Sequence, residues 1–493
     1  MFALLLVVFP LVLALITLLF SGNVAKWVAF VGSLLPLFLI KYIVFLCGDS
    51  CPGYLSFDAD WIPSLGIHFS LALDGVGLIL ILLTNTLVPL IILSSFNNRP
   101  YSDNTSFYAL ILFMQAALVG VFSAMDCFLF YIFWEAALIP VYFIAAIWGG
   151  EDKIRVTFKF FIYTIFGSLF MLVGIIYLYL QTPAPHSFDW SSLSTLQLDA
   201  TQELWVFVAF FLAFAIKMPI FPFHTWQPDT YTVSPTPGTM LLSGIMLKMG
   251  IFGIIRWIIP ITPFAFIDWT YITIVLAVVG IVYASVIAIL QKDFKRLIAY
   301  SSIAHVGLIA AGLFSGTLEG VQGAIIQMFN HGINVVGLFF VLEIIAQRTG
   351  TRQIAELGGI VHAAPKLAVC FVIIMLGTVA LPLTNGFAGE FLLLLGVYKY
   401  NMWLGAVSGL TIILGAVYML RMYKNVMLGE ANSLTANFKD LTLSEMAVLV
   451  PVCAIVIFLG LFPNYILNVS EPVSIQLVNY LSENTLSALQ ILK

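Results

Sequence analysis

The chain has 493 residues, 61% of them apolar and only 9% charged, with 20 Lys+Arg against 24 Asp+Glu. Mean hydropathy is +1.07 and the isoelectric point lies near 5.9. Soluble domains carry roughly 25% charged residues, so a soluble enzyme and a disordered chain are excluded. The absence of a basic stripe excludes a nucleic-acid binder, and the composition is that of a polytopic membrane protein.

A helix crosses a bilayer core with about 20 mostly apolar residues. That ruler predicts spans near 1–20, 25–47, 71–95, 107–124, 126–148, 157–181, 204–221 and 235–258 in the first half. It continues with 270–290, 296–314, 323–346, 366–399, 403–427 and 443–462, giving an all-α membrane fold of about fourteen helices. The first span lacks a basic leader and a small-residue cleavage site, so it reads as a retained helix. The tail 470–493 is too polar to span, and Val478, Leu481, Ala488 and Leu492 predict a short interfacial helix there. Cys47 and Cys51 flank the end of the second span, where a disulfide and two unpaired thiols are the alternatives.

Basic residues orient the fold. With both termini outside, the inner loops and helix ends hold Lys26, Arg99, Lys153, Arg155, Lys159, Lys292, Lys295, Arg296, Arg348, Arg352, Lys366, Arg421, Lys424 and Lys439. The outer side holds only Lys41, Arg256, Lys399 and Lys493. Lys217 and Lys248 belong to neither side, because they stand inside apolar helices.

An ionisable residue at membrane depth is costly unless it is paired or hydrated, and so marks function by default. Glu135, Lys217, Lys248 and Glu390 meet this description, while Asp74, Asp126 and Glu343 lie nearer helix ends. His305 and His331 fall mid-span. Glu135 with one lysine can be read as a static ion pair that ties helices together. A second lysine, a second glutamate and two histidines exceed that need, and groups whose proton affinity responds to burial and to neighbouring charge suit a proton relay.

Two spans are interrupted. The seventh contains KMPIFPFH, where Pro219 and Pro222 each remove an amide donor, and the twelfth contains LPLTNGFAGE just before Glu390. Non-helical backbone at this depth needs protein or water around it, and paired broken helices in two halves mark inverted-repeat transporters. The expected organisation is helices 1–3 over 1–106, one five-helix repeat (helices 4–8) over 107–258, a second, inverted (helices 9–13) over 259–427, and helix 14 with the tail over 428–493. The stretch HTWQPDTYTVSPTPG reads as a rigid inner loop, and no phosphate-loop, dinucleotide, CxxC or HExxH motif occurs.

Five stretches resemble one family: FWEAALIPVYFIAAIWGG, KMPIFPFHTWQPDTYTVSPTPGTMLLSGIMLKMG, KDFKRLIAYSSIAHVG, NHGINVVGLFF and GFAGEF. They are similar to the antiporter-like, proton-pumping membrane subunits of NADH-quinone oxidoreductase (respiratory complex I), and among these to the M-type chains. The likeness runs from about Trp61 to about Leu461; the first span and the last thirty residues match poorly. The resemblance implies that Glu135 and Lys217 form a proton-input pair, that Lys248, His305 and His331 relay, and that Glu390 is the terminal carrier. A lysine stands at the position of Glu390 in the related L- and N-type chains, so the glutamate favours the M type. The resemblance further implies no cofactor on this chain, with FMN, Fe–S clusters and quinone in partner subunits, and L-type and N-type chains on either side. A bacterial inner membrane is the expected location. A multisubunit Na⁺/H⁺ antiporter subunit, a hydrogenase- or ferredoxin-linked relative and a stand-alone solute carrier are the alternative readings.

Overall fold

The computed structural model describes residues 1–47, 55–96 and 99–491; Cys51 and the Cys47 side chain, and with them the disulfide expectation, lie outside the described residues. Among the described residues, twelve helices are long and apolar enough to cross a membrane, from Gly22–Tyr42 to Leu443–Leu461. Two shorter apolar helices, Phe2–Leu18 and Pro365–Thr378, occupy the first expected span and the first half of the twelfth.

Helix starts follow local chemistry. Asp74, Asp126, Asp293 and Thr317 each accept a backbone amide of the first turn, and Asp199 with Gln202 and Thr442 with Glu445 form capping boxes. Two of the acids that lay nearer helix ends are therefore accounted for as caps. Asp126 also accepts His68 N at 3.1 Å, and burial pushes its carboxyl upward against those amide bonds. Asp74 additionally pairs with the buried guanidinium of Arg256.

The connection after the second span adds a small β element that the all-α expectation lacks. Ser56–Phe57 pairs antiparallel with Leu71–Ala72, and Asp60–Ile62 with Ile67–His68. The third span accordingly starts at Gly75, four residues later than expected. The Met1 amine donates to Ser56 O at 3.1 Å, which fastens the N-terminus beside this element.

The chain divides into two compact units. Met1–Met218, Ile245–Thr270 and Ile475–Lys493 make the first; Pro219–Gly244 and Tyr271–Ser474 make the second. In the first unit, Lys153–Gln181 turns Phe158, Ile162, Phe166, Phe170 and Val173 outward on one stripe, as a lipid-facing helix does. In the second unit, Phe294–Phe314 and Leu318–Thr349 are buried along nearly their whole length.

The seventh span breaks at its prolines: its helix ends at Lys217, and Pro219 and Pro222 stand in the break. Two expectations need correction. The loop predicted over HTWQPDTYTVSPTPG contains a seven-residue helix, Gln227–Val233, with Pro228 in its first turn, where the missing amide costs nothing. The tail is not a short segment: Asn464–Ile491 is one 28-residue helix, and Tyr480 Oη donates to Pro260 O at 3.1 Å.

Candidate functional site

In the first unit, Glu135 is the next-to-last residue of the helix Cys127–Ala136, which gives way at Ala137 to Leu138–Trp148. Pro140 lies three residues beyond that joint and withholds an amide from its last turn. Glu135 is half-buried, whereas Lys217, the last residue of Ala200–Lys217, is only 2% exposed. Lys217 Nζ sits over the Trp134 ring, 5.0 Å from its centroid. The Glu135 carboxylate acts on it as an electrostatic neighbour. Among the described residues the two make no ion-pair contact: the side chain next to the acid, Trp134, receives the ammonium. Tyr131, one turn before Glu135, lies within electrostatic reach of the same carboxylate.

Lys248 is fully buried. It opens the short α-helix Lys248–Gly253 between two π-helical segments, Leu242–Met246 and Ile254–Ile258. Such wide turns shift the backbone bonding and recur at functional sites. Two residues on, Gly250 permits a close approach: a Cβ there would lie 2.7 Å from Phe214 O and 3.2 Å from Met218 N, at the end of the Lys217 helix. The first unit thus brings the helix of Lys248 against the helix that presents Lys217.

The second unit holds His305, His331 and Glu390, all at least 95% buried. His305 Nδ1 and Glu390 Oε1 are hydrogen-bonded at 2.8 Å, and Gln327 Nε2 donates to the same oxygen at 3.2 Å. His331 Nε2 meets Ser302 Oγ at 3.1 Å, and the two imidazole centroids are 6.1 Å apart. Tyr418 Oη donates to Ser301 Oγ at 3.1 Å. A small cavity is lined by Ser301, Ser302, His305, Gln327, His331 and Asn334 together with apolar side chains. Glu390 lies in the second turn of Asn385–Tyr400, just past the break at 379–384, where Ala380 and Leu383 adopt φ of 56° and 72°. Such backbone is strained in non-glycine residues and concentrates at functional sites.

Ionisable groups alone understate this site. Gln327, Asn330 and Asn334 are buried around His331, and their i, i+3, i+7 spacing gives one polar stripe on an otherwise apolar helix. Lys295, counted with the inner charges, is 3% exposed and donates from Nζ to Ser234 O at 2.6 Å. Glu343 binds the Thr236 hydroxyl close by. His224, in the seventh-span break, stacks on Phe221 and meets Tyr283 edge-on.

The model of the NADH:quinone oxidoreductase/Mrp antiporter transmembrane family matches residues 124–415. The chain is 40% identical over 475 residues to NADH-quinone oxidoreductase subunit M of Rickettsia conorii, covering 93% of this chain and 95% of that one. It is 37% identical over 469 residues to subunit M of Rhodobacter capsulatus, covering 92% and 91%. A chain in the structure of respiratory complex I from Thermus thermophilus with bound NADH superposes with a TM-score of 0.90 at 32% identity, covering 98% of this chain and all of that one. Chains of the archaeal membrane-bound sulfane sulfur reductase and of the Mrp complex from Dietzia share the fold, both with TM-scores of 0.84, at 23% and 19% identity. The chain therefore belongs to the NADH:quinone oxidoreductase/Mrp antiporter membrane-subunit family, and within it to the subunit M group of NADH-quinone oxidoreductase.

Proposed function

We propose that this chain carries protons across a bacterial inner membrane as the antiporter-like M-type subunit of a NADH-quinone oxidoreductase, driven by redox chemistry in other subunits. One observation carries the reading. Each unit presents a buried ionisable side chain where a membrane helix is interrupted, Lys217 at the end of one helix and Glu390 near the start of another. Charges at that depth are retained for transport, and interrupted helices are where transporters put their sites.

In this reading Glu135 receives the signal or proton, Lys217 is the first carrier, Lys248, His305 and His331 relay, and Glu390 is the terminal carrier toward the outer side. The half-burial of Glu135 suits a residue at the border with a neighbouring subunit. Without direct contact, its pull on Lys217 is weaker than the about 4 kcal/mol of a unit pair at 4 Å and effective dielectric 20. A modest coupling suits a switch better than a permanent pair, because the charge change that must reverse it is smaller. His305 is hydrogen-bonded to the terminal carrier, so a proton has a direct handover between imidazole and carboxylate.

L-type and N-type chains are the expected neighbours on either side, with FMN, Fe–S clusters and quinone held by partner subunits. Both termini lie on the outer side in this reading, and helices 4–8 and 9–13 are the inverted repeats. Subunit M relatives in Rickettsia and Rhodobacter support a bacterial membrane. The Mrp chain is similar at 19% identity against 40% for a subunit M relative, so the antiporter alternative is not favoured. The test is NADH-driven proton uptake by inverted vesicles carrying the assembled complex with Glu135→Ala. A loss of roughly tenfold or more at equal complex content is expected, and wild-type uptake would remove Glu135 from the mechanism.

A further inference from the structure

Three carboxamides meet at the break of the twelfth span. Asn330 and Asn334 stand one turn apart on Leu318–Thr349, and Asn385 opens Asn385–Tyr400. All three are 3% exposed or less. Asn330 Nδ2 donates to Asn385 O at 2.7 Å, yet Asn330 Oδ1, Asn334 Oδ1 and both terminal atoms of Asn385 have no protein partner. Gln327, on the same helical stripe as Asn330 and Asn334, and Glu390, which Gln327 touches, also leave Oε1 and Oε2 without one.

A buried polar atom left unpaired costs about 1–3 kcal/mol, so a cluster of six is a poor way to fill a membrane core. Gly377 lets two of these oxygens come close to bare backbone. A Cβ at that position would lie 3.0 Å from Asn385 Oδ1, 3.2 Å from Asn334 Oδ1 and 2.9 Å from Val456 Cγ1. The two carboxamide oxygens therefore face a common point beside a residue with no side chain, at a separation that one or two waters bridge. The donor set selects water over a dehydrated cation, because it combines acceptor oxygens with the Asn385 Nδ2 donor. Glu390 completes the geometry: Oε1 takes the bonds from His305 and Gln327, while Oε2 is left for a different partner.

We propose that Asn330, Asn334 and Asn385 hold ordered water against Gly377, and that this water delivers protons to Oε2 of Glu390 in parallel with the His305 bond to Oε1. The water site is read from this chain's own geometry; its role in delivery rests on the proton-translocating reading above. His305 then has a bypass, and Glu390 has none.

The experiment uses the whole assembled complex. A cryo-electron map fine enough to resolve water should show density within hydrogen-bond distance of Asn334 Oδ1 and Asn385. In inverted vesicles, Asn385→Leu and Gly377→Ala should each lower NADH-driven proton flux about two- to fivefold at equal complex content. His305→Gln should keep a measurable flux, and His305→Gln combined with Asn385→Leu should abolish it. Three results would overturn the proposal. One is a map in which the carboxamides bond one another with no density between them. Another is wild-type flux in both Asn385→Leu and Gly377→Ala; because Asn385→Leu removes the polar atoms and Gly377→Ala fills the slot, failure of one variant to assemble leaves the other to decide. The third is a site ringed only by oxygens with Na⁺-dependent flux, which would make it a cation site. Wild-type flux in Glu390→Gln, by contrast, would overturn the proton reading and leave the water site standing.

Discussion

His305 Nδ1 and Glu390 Oε1 are joined by a 2.8 Å hydrogen bond between residues 85 positions apart, with both side chains at least 96% buried. The bond gives the carboxylate a proton-exchanging partner inside the membrane and orients it toward the core of its unit. Glu390→Gln keeps the shape and removes the exchangeable charge. NADH-driven proton flux in that variant should fall roughly tenfold or more, while Glu390→Asp, which keeps the acid but draws it back by one methylene, should retain part of it. Fluorescence quenching of a pH probe in inverted vesicles measures both, and equal flux in the two variants would argue against a carrier role.

Trp134 supplies the ring under the Lys217 ammonium. A desolvated cation–π contact contributes about 2 kcal/mol, which here holds the lysine apart from Glu135. Trp134→Leu should lower proton flux several-fold and shift its pH profile, while Trp134→Phe should retain more of it. An unshifted profile in Trp134→Leu would mean that the ring serves packing alone.

Gly250 has no room for a side chain, since a Cβ would meet Phe214 O at 2.7 Å. Overpacking of this kind costs about 1–3 kcal/mol, and backbone cannot rotate aside as a side chain can. Gly250→Val should reduce the amount of intact complex on native gels after mild heating. Recovery of the full amount would show that the helices of Lys217 and Lys248 tolerate separation there.

Lys295 holds the carbonyl of Ser234, the C-cap of Gln227–Val233. Lys295→Met strands that buried carbonyl at a cost of about 1–3 kcal/mol. The assembled complex should then dissociate several degrees lower in a thermal challenge, with Lys295→Arg restoring part of the loss. Identical melting of Lys295→Met and wild type would contradict the capping role.

How much was legible in the sequence differs by residue. The charges at membrane depth and the two interruptions could be read directly, because a run of apolar residues makes each exception visible. Contacts could not: nothing in the spacing says that Trp134, and not Glu135, meets Lys217, since that choice depends on rotamers and on the kink before Pro140. The helix Gln227–Val233 was hidden by its prolines and threonines, although Pro228 in the first turn is itself a helix-start signal. The carboxamides carry no charge, so they do not stand out against an apolar run as the titratable groups do. The polar spacing of Gln327, Asn330 and Asn334 around His331 is the signal that would have found them.

The most direct test of proton carriage by this chain is the initial rate of NADH-driven acidification in inverted vesicles with Lys217→Ala, at complex content matched by native gel. The account predicts an assembled complex whose proton flux drops about tenfold or more. Wild-type flux with a neutral, truncated side chain at 217 would contradict it.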